Sequence, residues 1–145
     1  MARSGIPLAA LAWVAALLPL LTTYVSYVVA AYYGQVPWCV PYWDSCTSIS
    51  ATGRELPAKL IFKAGMIPTA LVIALLWWCA WRWLSLQAET VAFKSLIAIP
   101  LLGCVAALCL IVYTLALGEV GPGYRMLRRL GVVCSFAFTF IAQLL

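Results

Sequence analysis

Four long apolar runs, 6–33, 60–84, 96–117 and 130–145, alternate with three polar connections along the chain. A spanning helix needs roughly 20 apolar residues to cross about 30 Å of hydrocarbon, and the first three runs meet that length. None of the runs shows the every-second-residue alternation of barrel strands, so helices are the expected element. The pattern predicts an all-α integral membrane protein, a four-helix transmembrane bundle forming a single domain over 1–145. The connections are a long loop at 34–59, a short one at 85–95, and 118–129, which contains "GEVGPGYRMLRR".

The fourth run has 16 residues from Leu130, about 24 Å as a helix, and no closing charge. Either this helix ends inside the membrane or the sequence is part of a longer chain, and the second is the expectation. The first run follows Arg3, as a secretory signal would. Its 28 residues exceed the 7–15 or so of a signal's apolar core, which favours a spanning helix.

Composition narrows the chemistry. Hydrophobic residues make up 66 % of the chain and charged residues 9 %, against about a quarter charged in soluble domains. Histidine is absent, removing the commonest general base, metal ligand and haem ligand. The four acids, Asp44, Glu55, Glu89 and Glu119, all sit at or beyond the ends of the runs. A proton relay or ion-coupled carrier would keep one mid-membrane. No metal site and no cofactor is expected. Nucleic-acid binding is excluded because the basic residues behind the +5 net charge are scattered over helix ends.

Smaller features have two readings each. Pro19, Pro68 and Pro100 fall inside the first three runs, as kinks or cavities on one reading and as ordinary membrane-helix composition on the other. Gly103 and Ala107 could admit a close neighbouring helix. Tyr32, Tyr33, Trp38, Tyr42 and Trp43, and then Trp77, Trp78, Trp81 and Trp83, suit interfacial belts. Cys39 and Cys46 flank six residues of the long loop and could close a disulfide, which persists outside the cytoplasm. Cys79, Cys104, Cys109 and Cys134 read as packing residues.

Lysines and arginines disagree with that placement. Six lie on the side of the first and third connections (Arg54, Lys59, Lys63, Arg125, Arg128, Arg129), and three on the other (Arg3, Arg82, Lys94). The positive-inside rule alone would put the long loop in the cytoplasm.

The polar stretch "SISATGRELPAKLIF", 48–62, carries the candidate site. Gly53 suits a turn and Pro57 the first helical position. Lys59 and Lys63 then share one face of the second helix. Either they snorkel to headgroups, or with Arg54 they bind a lipid phosphate near the helix start. Asp44, Ser48, Ser50, Thr52, Arg54 and Glu55 supply carboxylate, hydroxyl and guanidinium groups at headgroup depth.

Extended to "SISATGRELPAKLIFKAGMIPTAL", this stretch resembles the first-loop signature of the family of damage-regulated autophagy modulators (DRAM) and the lipid-remodelling factor for GPI-anchored proteins. Ile49, Ser50, Thr52, Gly53, Pro57 and Phe62 carry the match. "RRLGVVCSFAFTF" resembles the family's approach to its fourth helix through Gly131, Phe136 and Phe138. Ala51 replaces the family's aspartate and Arg128 stands near its histidine, so roles of those groups do not transfer. The resemblance implies a cytoplasmic N-terminus and an extracytoplasmic first loop, siding with the cysteines. Family members commonly have about six spanning helices, so the resemblance implies that this chain is the N-terminal part of a six-helix protein; the shorter, simpler chain reads as a prokaryotic relative in a bacterial inner membrane.

Three functions are then expected in order. The first is a non-catalytic accessory or structural subunit of a larger membrane complex, or a lipid-binding scaffold, with membrane lipids and other integral membrane subunits as partners. The second is a lipid-remodelling enzyme or lipid transfer factor working through the 44–55 groups, although serine and threonine lack a visible base. The third is a small transporter.

Overall fold

The computed structural model describes residues 8–86 and 93–144. Arg3, Glu89, Leu145 and most of the second connection lie outside the described residues. Among those described, all regular structure is helical. Four helices are long and apolar enough to span a membrane: α1 (Leu8–Tyr32), α4 (Ala58–Ser85), α5 (Phe93–Ala116) and α6 (Pro122–Leu144). Between α1 and α4, two single-turn helices occupy the long loop: α2 (Pro41–Asp44) and α3 (Ile49–Thr52).

The spanning helices have 25, 28, 24 and 23 residues. That is about 34–42 Å at 1.5 Å per residue, enough for a hydrocarbon core of about 30 Å. The expected bounds hold within a few residues for the first three. The fourth is corrected: α6 starts at Pro122, so the 16-residue helix expected from Leu130 is one of full spanning length. Pro122 supplies the fixed φ of a helix start. The arginines that follow it lower the apolarity of the run without breaking the helix. Pro57 is also displaced, standing as the N-cap of α4 behind a cis Leu56–Pro57 bond.

The helices form a row in which α4 packs on α1 and α5, and α5 on α6. Lipid tails are as apolar as leucine, so helix association in a membrane relies on close packing at small residues. Each interface of the row has its glycine. Gly65 of α4 faces Thr22 of α1, Gly103 of α5 faces the Trp77 ring of α4, and Gly131 of α6 faces Tyr113 and the Cys109 backbone of α5. The space at Gly103 is filled by the Trp77 side chain, where a close neighbouring backbone was expected. Trp77, expected in an interfacial belt, is instead part of the α4–α5 contact. Tyr32, Tyr33, Trp38 and Trp43 at one end, and Trp78 and Trp83 at the other, are exposed as a belt requires.

Three buried threonine hydroxyls are met within their own helices, whereas the buried Ser26 hydroxyl has no partner among the described residues. Thr22 donates to the Leu18 carbonyl, Thr69 to Gly65 and Thr114 to Leu110, each at 2.8 Å. At the end of the bundle holding the first and third connections, Phe62, Met66, Tyr113 and Leu117 form an apolar cluster, with Phe62 and Tyr113 edge to face at 6.3 Å.

Gly65→Leu or Gly103→Leu should lower the unfolding temperature in detergent by several degrees, since overpacking costs about 1–3 kcal/mol. Gly123→Ala, where nothing lies within 4 Å of an added Cβ, should change it by less than either. Equal effects at all three sites would contradict the glycine-mediated row.

Candidate functional site

The last carbonyls of a helix have no partner inside it, and at the end of α5 three cations supply the donors. Lys59 Nζ donates to the Gly118 carbonyl at 3.1 Å and Lys63 Nζ to that of Leu115 at 3.2 Å. Arg128 Nη1 donates to the carbonyls of Ala116 (3.3 Å) and Glu119 (2.9 Å). Cations here also complement the negative end of the helix dipole. The Glu119 carboxylate joins both lysines, 2.7 Å from Lys59 and 3.2 Å from Lys63. Gly118 makes the turn possible: its φ is +77°, and an added Cβ would meet the Lys59 side chain and the Arg54 carbonyl.

These contacts correct the expected phosphate site. Lys59 and Lys63 neither reach freely for headgroups nor join Arg54; their charge is answered by Glu119. Hydrogen bonds from Lys59 first, and then from Lys63, hold the Glu119 carboxyl below its ordinary pKa.

The long loop is folded back and pinned to α1. The Tyr27 hydroxyl donates to the Cys39 carbonyl at 2.6 Å and accepts the Cys39 N–H at 2.8 Å. Cys39 and Cys46 are joined as a disulfide, with Cα atoms 6.6 Å apart. Asp44 is used locally, its carboxylate accepting the Val40 N–H at 2.9 Å. Thr52 is buried, donates to the Ile49 carbonyl at 2.7 Å and lines a small cavity of about 190 Å³ beside Tyr27 and Cys39. Gly53 admits Phe62 and Leu117, either of which a Cβ would meet at 2.8 Å. Glu55 is exposed and lines neither cavity.

Ser48, Ser50 and Arg54 are brought together around something larger. A cavity of about 1000 Å³ lies between α1 and α6, at the upper end of ligand sites. Its mouth carries Ser48 and Ser50, whose hydroxyls are 3.3 Å apart, and Arg54. Across from them stand Arg125, Arg128 and Arg129 of α6. Below, the walls turn apolar: Ala16, Pro19 and Leu20 from α1, Val132 and Phe136 from α6, and Met66, Leu110 and Tyr113 as the floor. Pro19 is thus the one expected proline that lines this cavity.

Three arginines of this site were absent from the expected set. Their signal was readable, because 125, 128 and 129 recur as i, i+3, i+4 and share one helix face. The view of the basic residues as scattered is corrected as well, since four of them gather around one lumen.

A family model described as the Frag1/DRAM/Sfk1/Cwh43P N-terminal domain matches residues 7–120. The match spans α1 to α5 and stops before α6, so the looser likeness at 128–138 lies outside it. No curated protein and no solved structure matches the chain.

Because Glu119 titrates below its unfolded value, the lysine clamp contributes fully above the ordinary glutamate range. That contribution is lost as pH falls from about 4 through the lowered value. Glu119→Gln should melt earlier than the parent at pH 7, and the gap should shrink as pH falls below the glutamate range. Unfolding temperatures across that interval test this; a constant gap would show that the carboxylate charge is immaterial.

Proposed function

The chain belongs to the family of the Frag1/DRAM/Sfk1/Cwh43P N-terminal domain, and from that premise we propose that it is a non-catalytic membrane protein that holds a membrane lipid between α1 and α6. The single observation that carries this reading is the cavity itself, with a polar, cationic mouth and apolar walls following one another along the helix axes. That order of surfaces matches a lipid, with headgroup above and chain below. Of the roles expected from the sequence, the lipid-binding scaffold is the one the cavity supports.

The enzymatic alternative draws on Ser48 and Ser50, which face the cavity mouth. The carboxylates described near them are engaged elsewhere, Asp44 at Val40 N–H and Glu119 at the lysines. A serine without an adjacent base is a weak nucleophile, which favours binding over covalent chemistry.

For orientation, our reading is that the first loop is extracytoplasmic. The Cys39–Cys46 disulfide supports it. The opposing excess of lysine and arginine on that side has a local use here: Lys59, Lys63 and Arg128 close the end of α5, and the other arginines line the cavity.

Native mass spectrometry of the full chain released from its own membrane should show one retained phospholipid. Ala16→Trp and Val132→Trp, which fill the cavity, should lower lipid occupancy roughly tenfold, whereas Leu71→Trp, outside the cavity, should leave it unchanged. Parent protein free of lipid, or occupancy insensitive to the filling substitutions, would refute the reading. Separately, a protease site inserted after Trp43 should be cut in intact cells from the outside; cleavage only after lysis would invert the orientation.

A further inference from the structure

We propose that the occupant of the cavity is an anionic phospholipid, with its phosphate held between Arg54 and the α6 arginines and an acyl chain lying along Leu20 and Phe136. This rests on the lipid-binding reading and adds the charge class of the ligand.

The cavity carries uncompensated positive charge. Four guanidinium groups from two separate elements surround one lumen, and no carboxylate is among its lining residues. The nearby acids are committed or turned away: Glu119 to Lys59 and Lys63, Asp44 to a backbone N–H, and Glu55 outside the cavity. Arg128 already spends Nη1 on the end of α5, whereas Arg125 and Arg129 are exposed and their side chains make no hydrogen bond to the described residues. Arginines in the first turns of α6, which holds no acid in its first turn, also oppose that helix's own dipole. A bound anion relieves both repulsions, and the planar guanidinium fork suits phosphate oxygens in particular.

The walls identify the rest of the ligand. A soluble phosphate would need only the mouth, yet the cavity continues past Val132 to Ala16 and Phe136. Leu20 and Phe136 are 58 % and 73 % exposed, so the lower part opens sideways on a surface of spanning length that hydrocarbon covers. The choice between phospholipids follows from charge. A zwitterionic headgroup brings an ammonium group, quaternary in phosphatidylcholine, into a ring of four cations, and the glycerol headgroup of phosphatidylglycerol does not.

The test uses the full chain in non-ionic detergent, titrated with phosphatidylglycerol, with phosphatidylcholine of the same acyl chains, and with glycerol 3-phosphate, each read by native mass spectrometry. We expect one equivalent of phosphatidylglycerol to bind at least tenfold more tightly than phosphatidylcholine. That preference should fall as salt rises from about 50 to 500 mM. Arg125→Gln with Arg129→Gln should remove most of it, and Arg125→Lys with Arg129→Lys should keep part of it. The salt series needs no variant and so stands even if the substitutions disturb folding.

Equal binding of the two lipids, or a preference indifferent to salt and to both arginines, would overturn the anionic assignment while leaving lipid binding in place. Glycerol 3-phosphate binding as tightly as the lipid would replace the lipid with a soluble anion. A dimer that excludes lipid, or a monomer that takes up neither lipid, would remove both readings together.

Discussion

The open carbonyls at the end of α5 organise the polar end of this molecule. A helix that stops near the edge of a membrane must find donors for its last turn, and packing between apolar helices supplies none. Here α4 contributes Lys59 and Lys63, and α6 contributes Arg128, so three spanning helices are fixed to one another at a common level. Glu119 keeps the two lysines from repelling. With Arg128 turned towards α5, the Arg125 and Arg129 positions on the same face of α6 are set towards α1.

Glycines set the spacing of the rest. Gly65, Gly103 and Gly131 let each helix in the row lie close to the next, and the row leaves its outer members, α1 and α6, unpaired with each other over the height of the cavity. The loop covers the top of that gap. It is held there by the Tyr27 hydroxyl and by Gly53 seated against Phe62 and Leu117, and the disulfide closes the loop on itself. The serines and Arg54 owe their place to this anchoring.

The sequence discloses the spans well because twenty apolar residues have one use in a membrane protein, and the family likeness of 48–71 lies within the matched region. It also discloses the disulfide pair by spacing. Its failures have a common physical cause. The partner of Lys59 and Lys63 is 56 to 60 residues away, and hydropathy carries no information on which helix faces which. The start of α6 was missed because a window weighted by apolarity discards Arg125, Arg128 and Arg129, the residues that make its first turns distinctive. Of the expected residues, Ser48, Ser50 and Arg54 line the cavity, together with Arg125, Arg128 and Arg129 of α6 and without Lys59 or Lys63. Trp77 was misassigned for a similar reason: an aromatic side chain near a helix end fits a belt and a glycine pocket equally until the neighbour is known.

The row arrangement has a consequence for biogenesis. Each spanning helix docks mainly on the one synthesised just before it, so an interface can close as soon as its second member leaves the insertion machinery. Contacts of this kind are short-range in the order of spans, which favours rapid assembly and leaves little apolar helix surface waiting for a distant partner. The gap between α1 and α6 is the exception. It comes into being only when α6 is in place.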